Sequence, residues 1–106
     1  NNSSIGTSYH NMGNVHIAQK EYSKALECHN KALTIRLAVY GDSNHPEKAT
    51  SYSTVGNVYK AQGEYSKALK SYKHSLAIEV AIHGDRNHPK IVSLQRLVDE
   101  MTAKEV

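Results

Sequence analysis

The sequence predicts an all-α fold made of two copies of one helical hairpin and a closing helix. The first observation is an internal repeat, because the segment 9–46 returns about 43 residues later as 52–89. About 22 of roughly 40 aligned positions are identical between the copies. The second observation is that apolar residues recur at steps of three and four, which is the spacing of amphipathic helices. No alternating strand pattern appears, so a repeat of this length predicts an α-solenoid of stacked units.

Five helices are expected from this pattern. Their approximate ranges are 5–19, 22–40, 46–62, 65–83 and 89–102. We expect Gly41 to end the second helix as a left-handed cap, Asn44 to cap the third, and Pro46 to lie in its first turn. Gly13 recurs as Gly56, and a glycine within a helix is typical of a close approach by a neighbouring helix.

The repeat also divides the chain into units within one continuous domain. The units are a helix pair with its connector over 1–45, a second pair with its connector over 46–88, and a closing helix over 89–106. Single units of this size cannot bury an apolar face alone, and the first unit starts inside a helix. We therefore expect the sequence to be a fragment of a longer array.

Composition excludes several classes of function. The net charge of +3 and the pI of about 9.0 are only mildly basic, so nucleic acid is not an expected partner. No apolar run approaches the about 18 residues of a membrane span, and no membrane association is expected. Cys28 is the single cysteine and cannot form an internal disulfide, which favours a reducing compartment, and we expect the cytoplasm.

The residues give no support to catalysis, and we expect no enzyme activity and no cofactor. The sequence has no glycine-rich phosphate loop and no acid pair in a plausible pocket, and the adjacency of Cys28 and His29 does not place a thiolate beside a base. His45 and His88 belong to equivalent connectors about one unit apart, too far for one metal ion. Three other histidines stand where the other copy has tyrosine, which predicts packed rings: His16, His29 and His83.

The repeated residues of the two copies resemble the tetratricopeptide repeat, which has two antiparallel helices per unit. The family's pattern is a bulky residue, a glycine, a later aromatic residue and two small residues. The first copy meets it with Tyr9, Gly13, Tyr22, Ala25 and Ala32, and the second with Tyr52, Gly56, Tyr65, Ala68 and Ser75. The repeat is about nine residues longer than the usual 34, and its Gly-Asp-x-Asn-His-Pro connector is similar to that of kinesin-light-chain arrays. The resemblance implies a right-handed solenoid that binds proteins or peptides.

The resemblance also implies where a partner would bind, because the first helix of each unit lines the concave wall. We expect four side chains of the first helix to point into the stack: Tyr9, Met12, Val15 and His16. The groove is then expected to be lined by His10, Asn11, Asn14, Ser53, Thr54, Asn57, Lys60 and Arg96. Asparagine both donates and accepts hydrogen bonds, so it suits the backbone of an extended peptide.

Two functions from different classes follow from this interpretation. The first is a protein-interaction scaffold that binds a peptide segment of a partner in the groove. The alternative is a structural spacer or self-association segment of a larger array, with no ligand of its own. Self-association would use the apolar ends that an array leaves open.

Overall fold

The computed structural model describes residues 2–105 as five α-helices in a linear stack. The helices are α1 (Asn2–Ala18), α2 (Tyr22–Tyr40), α3 (Pro46–Ala61), α4 (Tyr65–His83) and α5 (Pro89–Lys104). Each helix packs on the next one in the chain, and the described range contains no strand. The predicted all-α solenoid of helix pairs is therefore confirmed, and the predicted bounds of α2 and α4 match. The outer unit limits predicted at residues 1 and 106 lie outside the described residues.

Histidines cap the helices that follow the two connectors. The Nδ1 atom of His45 accepts a hydrogen bond from the Glu47 amide at 3.1 Å, and the Nδ1 atom of His88 accepts one from the Lys90 amide at 3.2 Å. The prediction that Asn44 caps α3 is wrong. His45 is extended (φ −103°, ψ 137°), and this places its ring beside the free amide groups of the first helical turn.

Glycine ends both long second helices, but the two ends differ. Gly84 has the left-handed conformation (φ 66°, ψ 0°), whereas Gly41 combines a positive φ of 58° with a ψ of −131°. The prediction for Gly41 is therefore right in φ and wrong in ψ. The ammonium group of Lys48 donates to the carbonyl oxygens of Gly41 at 2.6 Å and Ser43 at 2.8 Å, which orients the peptide group that follows the helix.

Ring stacking fixes each connector against the helices on both sides. Tyr40, the last residue of α2, stacks on His45 with centroids 3.6 Å apart, and His83 stacks on His88 in the second connector with centroids 3.7 Å apart. The Tyr40 hydroxyl also donates to the carboxylate of Glu47. The two connectors therefore share the ring stack, although their backbones differ at the first glycine and a histidine replaces the tyrosine in the second.

Close contact between a glycine and a ring holds each helix pair together. A Cβ atom at Gly13 would lie 2.5 Å from the His29 ring, and one at Gly56 would lie 2.8 Å from the Tyr72 ring. The predicted close approach is confirmed at both positions. Both rings are fully buried, so a side chain at either glycine would displace a ring that has no free space to enter.

The first helix leaves an apolar face open. Met12 and Val15 are 50% and 56% exposed, whereas their equivalents Val55 and Val58 are 3% and 1% exposed. The expectation that Met12 and Val15 point into the stack is wrong. The corresponding face of α3 packs on α2, but α1 has no helix on that side in the part of the chain that the structure describes.

We predict that Gly13→Ala destabilises the fold by about 1–3 kcal/mol, because the new methyl group overlaps the His29 ring. The matched control is Gly6→Ala in the same helix, where the nearest atom to the new Cβ would belong to Ile35, at 3.3 Å, and the loss should be smaller. Urea unfolding followed by circular dichroism measures both. Equal stability of the two variants would contradict the steric explanation.

Candidate functional site

A cavity of about 390 Å³ opens between α3, α4 and α5. It is lined by Ala49, Thr50, Ser53, Asn57, Ser75, Glu79, Pro89, Lys90, Ser93, Leu94 and Leu97. The α3 residues at 50, 53 and 57 share one helical face, and α5 forms the opposite wall. The volume lies in the range of sites for small ligands or side chains, and the lining combines apolar surface with hydroxyl and amide groups.

Three predicted groove residues lie on or beside this cavity. Ser53 and Asn57 line it. Lys60 lies about one turn beyond, and its ammonium group is 3.3 Å from the Glu100 carboxylate, which joins α3 to α5 at one end of the opening. Thr54 is not part of the lining, and its hydroxyl donates to the Thr50 carbonyl oxygen at 2.8 Å. The α3 residues Thr50, Ser53 and Asn57, spaced by three and four, therefore lie together at the cavity, and Thr54 lies outside it.

The remaining predicted residues do not reach the cavity. Asn11 and Asn14 are exposed on α1, and Arg96 is exposed on α5. His10 is half-buried, and its ring packs edge-on against the ring of His29, with centroids 4.9 Å apart. In this structure His10 therefore packs within the first helix pair.

Asn57 is held by a partner from the second helix of its unit. The Tyr72 hydroxyl donates to the Oδ1 atom of Asn57. Burial raises the pKa of Tyr72 to about 12, with a smaller contribution from the negative charge of Glu100, so the phenol keeps its proton at neutral pH. Because its oxygen is engaged, the exposed Asn57 presents its amide nitrogen, a donor, to the groove.

The buried histidine pair of the first unit has no such polar contact. Neither ring nitrogen of His29 has a hydrogen-bond partner, and the Nδ1 atom of His10 has none. Burial lowers the pKa of His29 to about 4, and the nearby His10 and Arg36 lower it further when charged. The pKa of His10 is also lowered, chiefly by burial and then by Arg36, against a raising effect of Glu47. Both rings are therefore neutral at pH 7.

Two charged residues that the sequence analysis did not select lie at equivalent places in the two units. Arg36 is buried in the first unit, and Glu79, which is 4% exposed, takes the same position in the second. Glu79 lines the cavity, and its Oε2 atom lies 3.2 Å from the Nε2 atom of His83. A comparison of the two copies could have found this pair, because Arg36 aligns with Glu79 at a position where the helical pattern points inward.

Other functional classes gain no support from the described residues. Across residues 2–105, no group of three or more histidine, cysteine, aspartate or glutamate side chains is placed to hold a metal ion. In the same range no helix is long and apolar enough to cross a membrane. Three lysines of the second unit are exposed on α4, as expected for a solvated face: Lys67, Lys70 and Lys73.

We predict that the first unit makes the fold sensitive to acid. The pKa of His29 is lower in the folded chain than its value of about 6.5 in an unfolded chain. The neutral ring therefore contributes fully to the free energy of unfolding above about pH 6.5, and this contribution is lost as the pH falls towards 4. We expect the melting temperature to fall by about 5 °C or more between pH 7.5 and pH 5.

The variant His29→Tyr copies Tyr72 of the second unit and should reduce this fall, because tyrosine does not titrate in that range. The control is His74→Tyr, the same change at an exposed ring. Thermal unfolding at the two pH values gives the result. An equal fall in melting temperature in the His29→Tyr variant and the parent would show that the His10–His29 pair does not cause the sensitivity to acid.

Comparison with known proteins identifies the family. A model of the tetratricopeptide repeat family matches residues 4–78, which is more than half of the chain and includes nearly all of α1, all of α2 and α3, and most of α4. No curated protein matches the sequence. The matched region contains both glycine–ring contacts and the α3 residues of the cavity. The chain belongs to the tetratricopeptide repeat family.

Proposed function

We propose that the chain is a protein-interaction scaffold that binds a peptide segment of a partner in the groove between α3 and α5. Tetratricopeptide repeats generally mediate protein–protein interaction and are typically not enzymes. The observation that carries the proposal is the cavity of about 390 Å³ beside the polar face of α3. It offers a partially enclosed space next to groups that can bind a peptide backbone.

The lining of the groove suits an extended peptide. The Asn57 amide group and the Ser93 hydroxyl lie on opposite walls and can bind backbone carbonyl and amide groups. Leu94 and Leu97 supply apolar surface for a side chain. Five further residues extend the proposed contact surface beyond the cavity: His10, Asn11, Asn14, Thr54 and Arg96. Lys60 closes one end through its pair with Glu100.

The finer assignment to the kinesin-light-chain type belongs to the same proposal. It is supported by the 19-residue length of α2 and α4 and by the two connectors with stacked rings and histidine caps. A cytoplasmic location is proposed on the single cysteine, which is buried and free.

A peptide-library screen tests the groove, with Ser53→His as the blocking variant. Histidine stands at the equivalent position in the first unit, so the fold accepts this residue there, and its ring would enter the cavity. We predict that this change weakens binding of the selected peptides by roughly tenfold or more. The control is Ser66→His, at an exposed position of α4, which should leave binding unchanged.

Fluorescence polarisation measures the affinities, and thermal unfolding confirms that both variants are folded. Peptides that bind the parent and the Ser53→His variant equally would contradict the proposed groove. A folded parent that selects no peptide would favour the spacer function.

A second function is favoured by the open apolar face of α1. Ile5, Met12 and Val15 are each about half exposed, and the equivalent face of α3 is closed by α2. Exposed apolar surface of this kind is typical of an interface. We propose that this face associates with the same face of a second copy.

We predict that the chain forms dimers at micromolar concentrations and that the double variant Met12→Lys/Val15→Lys is monomeric, because two charges on each face would be buried without partners. The control is Val39→Lys, at an exposed apolar position of α2. Sedimentation velocity over a concentration series measures association. A parent that is monomeric at every concentration would contradict self-association without affecting the peptide groove.

A further inference from the structure

The cavity exists because the two units fill the same space differently. At the equivalent positions the first unit has His10 and Arg36, both of which are large side chains. Ser53 and Glu79 stand at these positions in the second unit. Each replacement is smaller, and both line the cavity. The first unit therefore shows which chemical group this place in the fold accepts.

In the first unit that group is a guanidinium. The Nη1 atom of Arg36 donates to the hydroxyl of Ser51 at 2.8 Å and to the carbonyl oxygen of Glu47 at 3.2 Å. Its Nη2 atom lies 3.8 Å from the carboxylate of Glu47. The buried cation therefore has a counter-ion and two acceptors on the next helix, which is what allows a charge to be buried.

In the second unit the charges are reversed, and in the described range no ion pair joins α4 to α5 at this position. Glu79 replaces Arg36, Lys90 replaces Glu47, and Leu94 replaces Ser51. Lys90 is exposed and forms no ion pair with Glu79. Among residues 2–105, the one group within ion-pair distance of Glu79 is the His83 ring, which carries a charge only when it is protonated.

Glu79 is therefore a buried carboxylate that lines the cavity and has one close polar partner among the described residues, the ring of His83. It is 4% exposed, and its Oε2 atom lies 3.2 Å from the Nε2 atom of His83 without forming a hydrogen bond of good geometry. A buried carboxylate is costly unless donors satisfy it, and a cation entering the cavity would supply them. Lys90 also lines the cavity, but it is exposed, so water screens its charge more strongly than that of the buried Glu79.

We propose that this cavity receives the side chain of an arginine from the bound peptide, with Glu79 as its counter-ion. This inference rests on the proposed peptide groove and names the residue that anchors the peptide there. Arginine fits better than lysine, because its planar group has five donors and can form a bidentate pair with a carboxylate. The hydroxyl groups of Ser75 and Ser93 supply further acceptors in the lining.

Two peptide libraries test the inference. Both contain acetylated, amidated nonapeptides whose other positions are randomised without charged residues. The central residue is arginine in one library and citrulline, its neutral analogue of the same shape, in the other. The immobilised chain should retain the arginine library at least about tenfold more strongly, since a hydrogen-bonded charge pair in a partly buried site has an effect of that order.

Variants assign the preference to Glu79. Glu79→Gln keeps the shape of the side chain and removes its charge, and should abolish the preference for arginine. The control Glu64→Gln removes an exposed carboxylate at the start of α4 and should retain it. The double variant Glu79→Arg/Lys90→Glu copies the charged pair of the first unit, should fill the cavity from within, and should also lose the preference.

The outcomes separate this inference from the proposed function. Strong retention of both libraries without a preference for arginine would overturn the inference and leave the peptide groove standing. A preference for arginine that persists in folded Glu79→Gln would also overturn it. No retention of either library by the folded parent would overturn both.

Discussion

The contact of a backbone glycine with a buried ring is the constraint on which the rest of the stack depends. In each unit the ring of the second helix lies against the first helix where a side chain would collide with it, at Gly13 for His29 and at Gly56 for Tyr72. Small residues such as Ala25 complete the close approach. Because the two helices of a unit are held this tightly, the polar face of the first helix has a fixed orientation. A ligand groove can then be built from side chains on rigid elements.

The identity of the ring determines the polarity of its surroundings. Tyr72 places its hydroxyl at the edge of the core, where it donates a hydrogen bond to the Oδ1 atom of Asn57. His29 is too short to make the equivalent contact, and its ring nitrogens remain unpaired beside His10. The same backbone position therefore holds Asn57 through a hydrogen bond in the second unit and leaves a buried ring without polar partners in the first.

Much of the fold could be predicted from the sequence, because the repeat shows each helical pattern and each helix-ending glycine twice. The limits of α2 and α4 follow from helical spacing, and the close approach at Gly13 and Gly56 follows from a glycine that recurs within a helix. The cap at His45 could not be predicted in this way, since the usual preference for asparagine pointed to Asn44. Exposure of Met12 was missed for a different reason. Helical periodicity identifies an apolar face, but it does not say whether a neighbouring helix exists to cover it.

The candidate site was predicted in part, since Ser53 and Asn57 line the cavity, but its buried charge was missed because it arises from a difference between the copies. Positions that are identical in the two copies indicate the fold that both units share. The cavity instead lies where the second unit has smaller side chains than the first. Arg36 and Glu79 occupy equivalent inward positions with opposite charge, and only the first finds partners on the following helix. A buried carboxylate is costly to fold unless donors satisfy it, and the one close partner of Glu79 among the described residues is the His83 ring. The proposed arginine of a bound peptide would supply to Glu79 the kind of charged partner on another element that Arg36 has within its own chain.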